Sequence, residues 1–126
     1  MKSNPLQAFV DAFNDRDLER LRAELVADAV AHVVGAPFPL EEGRDVIART
    51  SLPYLLEAGL VAQLVDLEGT PGIALLIGGA AGPIDVFVRV ERAGGGICAL
   101  AYLTAPHAPE ELRAVGQSLG LRTPTQ

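Results

Sequence analysis

Residues 61–104 read VAQLVDLEGTPGIALLIGGAAGPIDVFVRVERAGGGICALAYLT. Apolar, β-branched runs alternate here with turn residues about every ten positions, which is the spacing of an antiparallel meander. Four strands are predicted, at 61–67, 73–77, 84–91 and 97–104. They are separated by Glu68-Gly69-Thr70-Pro71-Gly72, by residues 78–83, and by Ala93-Gly94-Gly95-Gly96, each short enough for a hairpin. The third run holds one residue at odds with its neighbours, Asp85, between Ile84 and Val86-Phe87-Val88. A carboxylate in such company is costly to bury unless it is paired or protonated, so it marks either a pocket or a structural ion pair.

Upstream of the meander the pattern is helical. Asn4-Pro5 reads as a cap and a first-turn proline, with Leu6, Phe9, Val10 and Phe13 recurring at helical spacing until Asn14. Asp17 is placed to cap a second helix, with Leu18, Leu21, Leu25 and Val26 on one face and an end at Asp28. Residues 29–34 are short, apolar and valine-rich, as in a buried strand, and Gly-Ala-Pro-Phe-Pro then forces a loop. A third helix is predicted from Asp45 until Pro53 interrupts it, Ser51 capping the turn that carries on through Leu55 and Leu56. After the meander, Pro109, Glu110 and Glu111 open a last helix with Leu112, Val115 and Leu119 inward and Gly120 as its stop.

The chain has 126 residues, 49% of them hydrophobic, which suits one domain, 1–126, with one sizeable core. A net charge of −6 and the lack of any basic cluster argue against nucleic acid and anionic membranes as partners. With one cysteine, no intramolecular disulfide can form, and the start MKSNPLQAF lacks the apolar core of a signal peptide, so a cytoplasmic protein is expected. Cys98 reads as an inert core thiol. His32 and His107 lie in no metal-ligand spacing, so neither metal nor cofactor is expected. The triple glycine 94–96 sits between two strands, which makes it a turn and not a phosphate cradle.

Alternation on the third meander strand puts Ile84, Val86, Val88 and Val90 on one face and Asp85, Phe87, Arg89 and Glu91 on the other. If the Asp85 face curves around a pocket, the aliphatic face needs cover, and a second copy packed sheet to sheet is the expected cover. The alternative is cover by the C-terminal helix or a loop. Tyr54 and Tyr102 are candidate pocket hydroxyls, although a tyrosine with its ring in the core is the commoner case.

The order of elements resembles the cone of nuclear transport factor 2-like proteins, and the SnoaL-like branch in particular. The resembling residues are Phe9-Val10-Asp11-Ala12-Phe13-Asn14 with Asp17-Leu18, then Asp28-Ala29-Val30, Gly43-Arg44 with Val46-Ile47-Ala48, and Ile84-Asp85-Val86-Phe87 leading to Gly95-Gly96-Ile97. The resemblance implies an α+β fold, a curved antiparallel sheet wrapped by N-terminal helices, as in cystatin-like proteins. It also implies that Asp85 faces the interior, where ketosteroid isomerases of this superfamily keep a protonated aspartic acid. Their tyrosine falls on Phe9 and their catalytic base on Val33, so isomerisation of that type is rejected. The water-gripping set of the related epoxide hydrolases is largely missing too, with Leu64 in place of an arginine before Asp66 and Tyr102 near the second aspartate. Residues 68–72 and the stretch from Gly95 through Pro109 to Leu112 are also similar to the SnoaL-like domains that end many extracytoplasmic-function sigma factors.

These readings converge on an apolar pocket lined by Phe9, Phe13, Val33, Tyr54, Phe87 and Tyr102 around Asp85. The leading expectation is a module that binds a small, mostly apolar molecule or serves regulation. The alternatives are a cyclase, isomerase or dehydratase using Asp85 as acid or base, and an interaction protein with a collapsed cone. The enzyme reading needs a second polar group within hydrogen-bond reach of Asp85, and the interaction reading needs an interior filled by side chains.

Overall fold

The computed structural model describes residues 6–79 and 82–122. In chain order the elements are α1 (Gln7–Asn14), α2 (Leu18–Ala23), β1 (Leu25–Val33), β2 (Glu41–Glu42), α3 (Arg44–Arg49), α4 (Ser51–Glu57), β3 (Leu60–Leu67), β4 (Thr70–Ile77), β5 (Ile84–Ala93), β6 (Gly96–Thr104) and α5 (Pro109–Leu119). The strands form one curved sheet in the order β2-β1-β6-β5-β4-β3. All neighbours are antiparallel except β1 and β6, which run parallel. The meander therefore carries the sheet, and β1 joins it beside the last meander strand. The predicted cap at Asn4-Pro5 lies outside the described residues.

Where the boundaries differ from the sequence reading, tertiary pairing explains the difference. The second helix stops at Ala23, and Leu25 and Val26 belong to β1, because Leu25 pairs with Ile97 while the Ile97 amide bonds the Glu24 carbonyl. Asp17 does cap α2, accepting from the Arg20 amide. The third helix breaks at Thr50, not at Pro53, which sits in the first turn of α4, where its missing N–H has no helical partner to lose. The first meander turn is only Glu68-Gly69, both at positive φ as in a two-residue hairpin, and Thr70, Pro71 and Gly72 already belong to β4. The Asp66 carboxylate fastens that turn by accepting from the Gly69 amide at 2.7 Å.

Both faces of the sheet are packed against helices of the same chain, one of them only in part. Helices α1 to α4 cover one face, where Phe9, Phe13, Leu21, Ile47 and Leu52 meet Ile73, Leu75, Val86, Val88, Leu100 and Tyr102. Helix α5 covers part of the other, where Leu112 and Val115 meet Ala74, Leu76, Ile84, Phe87 and Leu103. Simple alternation on β5 fails at one point. Leu75 pairs with Val86 but Leu76 pairs with Ile84, so Asp85 is an extra residue in a β-bulge. The bulge turns Ile84 to the α5 side together with Phe87, and leaves Val86, Val88 and Val90 facing the wrapped interior. The face expected to need a second copy is thus covered by the chain's own helices, with Ile84, Val86 and Val88 all buried. The physical reason given for a sheet-to-sheet dimer at these residues no longer applies.

The edge strand β3 is also managed locally. The Asn14 side-chain amide acts as a short surrogate strand, donating to the Ala62 carbonyl at 2.9 Å and accepting from the Ala62 amide at 2.8 Å. Arg16 adds a bond to the Leu60 carbonyl at 2.7 Å. No helix of the described residues is long and apolar enough to cross a membrane.

Candidate functional site

A cavity of about 670 Å³ opens on the helix-wrapped side of the sheet, a size that fits a drug-sized molecule. Its floor is the end of β6 and the start of β5, with Tyr102, Thr104, Asp85 and Val86. One wall is α4 with Ser51, Tyr54 and Leu55; the mouth is formed by Phe38, Pro106 and His107 from two loops. Hydrocarbon dominates the lining, and Val33 and Leu60 contribute to it. Phe38 and Tyr54 are 58% and 75% exposed, and the Phe38 ring meets His107 edge to face at 5.2 Å.

The bulge on β5 is what delivers Asp85 here. Without the extra residue its side chain would share the Phe87 side, beneath α5; with it, Asp85 and Val86 both border the cavity. The carboxyl has no hydrogen-bond or ion-pair partner among the described residues, and partial burial raises its pKa above the ordinary carboxylate value. Arg89, which simple alternation places on the Asp85 face, points to the opposite side of the strand and is exposed.

The raised pKa carries a sign. A carboxyl that holds its proton more tightly in the folded than in the unfolded chain favours the fold when protonated, and this advantage fades as pH rises through the folded-state pKa. Asp85→Asn is therefore expected to raise the melting temperature at neutral pH and to leave it unchanged at pH low enough to protonate the wild-type acid. Differential scanning calorimetry at the two pH values checks this, and equal shifts at both would show that burial of the charge is not the cause.

A second polar feature stands across the cavity. Ser51 Oγ donates to Glu41 Oε1 at 2.9 Å and lies 2.9 Å from the Tyr102 hydroxyl, which donates to it, since the serine hydrogen is already directed at the carboxylate. Burial pushes the Tyr102 phenol up, which keeps it a neutral donor despite the opposing effect of the Ser51 bond. Thr104 Oγ1 is buried without a hydrogen-bond partner. Contrary to the sequence expectation, Ser51 does not cap α4: it is the first residue of the helix, with Thr50 at the cap position.

Of the residues predicted to line a pocket, Val33, Tyr54, Asp85 and Tyr102 meet at this cavity. Phe9 and Phe13 do not; they are packed solid against α2, α3 and the sheet. Phe87 lies on the other face, its ring against Gly72, where a β-carbon would strike it. Cys98 is partly exposed and so is not a core thiol. Glu41 and Ser51 escape a sequence-based search for site residues, because Glu41 sits on a two-residue strand set by its pairing with Ala31, a contact with no local signature.

No protein-family model matches the chain, and no curated protein matches it. Solved structures do. A Sinorhizobium meliloti protein classed with polyketide cyclases superposes with a TM-score of 0.59 at 17% identity, covering 80% of this chain and 94% of that one. A Kribbella flavida protein classed with ketosteroid isomerases gives 0.58 at 17% identity, covering 79% and 74%. The Mycobacterium tuberculosis extracytoplasmic function sigma factor SigJ gives 0.59 at 19% identity; 94% of this chain matches, over only 45% of the sigma factor. The chain has the α+β, cystatin-like fold of these structures. Identity at this level speaks for the fold alone. In this chain an acid stands at the second residue of β5, Phe9 is core and Val33 is hydrocarbon lining of the cavity.

Proposed function

We propose that this SnoaL-like chain binds a small, mostly apolar molecule in the cavity beside α4, as a binding or regulatory module without a complete catalytic set. The observation that carries the reading is the cavity itself: about 670 Å³ of largely hydrocarbon-lined space ending on a carboxyl without a polar partner among the described residues. A collapsed cone would have no such space, and a general acid–base pair would bring a second polar group into contact with Asp85. The interior is filled around Phe9 and Phe13 but open around Tyr102.

A second reading, an acid–base enzyme of cyclase, isomerase or dehydratase type, draws support from the raised pKa of Asp85 and from Glu41 in the same cavity. Against it stands the absence of any described group hydrogen-bonded to that acid.

Val33→Phe is the direct test, because it fills the cavity from a partly exposed wall position without opening a void. An apolar fluorescent probe is expected to bind the wild type and to lose at least about tenfold in affinity to the variant, roughly 1.4 kcal/mol. Undiminished binding to a folded Val33→Phe protein would sink the proposal.

A further inference from the structure

Thr104, Tyr54 and His107 carry donors at the cavity lining, whereas the capacity left open along the Glu41–Ser51–Tyr102 chain is accepting. The Tyr102 hydrogen is taken by Ser51 and the Ser51 hydrogen by Glu41, so what this chain of three has left to offer is lone pairs. Glu41 has no ion-pair partner among the described residues, the two salt bridges there joining Arg20 to Asp15 and Arg22 to Asp45. No lysine or arginine lines the cavity; its titratable groups are Glu41, Tyr54, Asp85, Tyr102 and His107. Two carboxyl groups without a cation, in a largely apolar lining, leave a deficit of positive charge that an occupant can supply.

Two exposed aromatic rings border the same cavity, Tyr54 from the α4 wall and Phe38 from the mouth, where it meets His107. Tyr54 follows Ser51 by three residues on α4 and so shares its helix face, and Phe38 precedes Glu41 by three residues on the loop leading into β2. A cation beside ring faces gains from their quadrupoles, most where water is thin. Accepting lone pairs, a carboxylate without an ion-pair partner among the described residues and exposed rings bordering one cavity favour a donor with positive charge.

Building on the reading of this cavity as a ligand site, we propose that its ligand is a hydrophobic amine. The protonated nitrogen lies between the Glu41 carboxylate and the Phe38 and Tyr54 rings, and the apolar frame fills the space bounded by Val33, Leu55, Leu60 and Val86. Tyr102 serves as an acceptor through its lone pairs. A carboxylic acid of the same shape is excluded by like charge.

Three probes of one shape test this by titration calorimetry near neutral pH: naphthylmethylammonium, naphthylmethanol and naphthoate. The ammonium is expected to bind about tenfold more tightly than the alcohol, and the naphthoate not to bind. Glu41→Gln is expected to bring the affinity of the ammonium down to that of the alcohol. A readout that needs no variant is salt: at high ionic strength the ammonium should fall toward the alcohol, because the charge-based part of its affinity is screened at a partly open site. Equal affinity of ammonium and alcohol, a preference that survives Glu41→Gln, or one indifferent to salt would overturn the amine proposal while the cavity reading stands. Failure of all three probes to bind would overturn both.

Discussion

Phe13→Ala is expected to cost about 3–5 kcal/mol of folding stability and to leave probe binding at the cavity unchanged in whatever fraction stays folded. Phe13 is among the largest fully buried side chains, on α1, within the cluster that joins the N-terminal helices to the sheet. Removing its ring leaves a void that the surrounding strands, tied to one another by ladders, can only partly close. The Arg16 guanidinium, 5.3 Å from the ring centroid, loses its stacking partner as well. Denaturant unfolding measures the loss. A cost well under 1 kcal/mol would mean that this part of the interior is not packed as described, and a pocket lined by Phe13 would regain its standing.

Phe87→Ala is expected to be as damaging, again about 3–5 kcal/mol, for a reason on the other side of the sheet. Its ring occupies the space that Gly72 leaves open and helps to seat α5 through Leu112 and Val115. Affinity for an apolar probe should hold, since the ring faces away from the cavity. If Phe87→Ala kept its stability but lost probe binding, the bulge at Asp85 would be misplaced and plain alternation along β5 restored.

Those two variants separate what is legible in the sequence from what is not. The meander and the helix after Pro109 follow from period and punctuation and appear in the fold, with β4 starting at Thr70, three residues ahead of its expected bound, and the turn before it shortened to Glu68-Gly69. Asp85 is marked out as a candidate too, since an acid in a strand of β-branched residues points to a pocket or an ion pair, but the choice between the two is not legible there. Alternation assigns the wrong side of the strand because a bulge inserts one residue, and a one-residue slip sends side chains to the opposite face. No local signature marks that slip in Gly82-Pro83-Ile84-Asp85. Leu25 and Val26 likewise fit a helical period, although pairing with β6 draws them into β1. Glu41 and Ser51 become site residues only when the loop before α3 and the start of α4 meet across the cavity.

The bulge has a functional corollary. An unbulged β5 would carry Asp85 beneath α5, while Tyr102, Ser51 and Glu41 stayed where they are, and the cavity would hold one acid instead of two. The same extra residue that upsets the alternation therefore brings a second acid to the cavity lining, beside Glu41.

Whether the space beside α4 is a ligand site is tested most directly by methyl-resolved NMR during titration with naphthylmethanol, with Val33→Phe alongside. Shifts are expected at the methyls of Val33, Leu55, Leu60 and Val86, none at Leu76 or Leu112 on the α5 side, and no response from the variant. Shifts centred on Leu76 and Leu112, or an unchanged spectrum at saturating probe, would contradict a ligand site at this cavity.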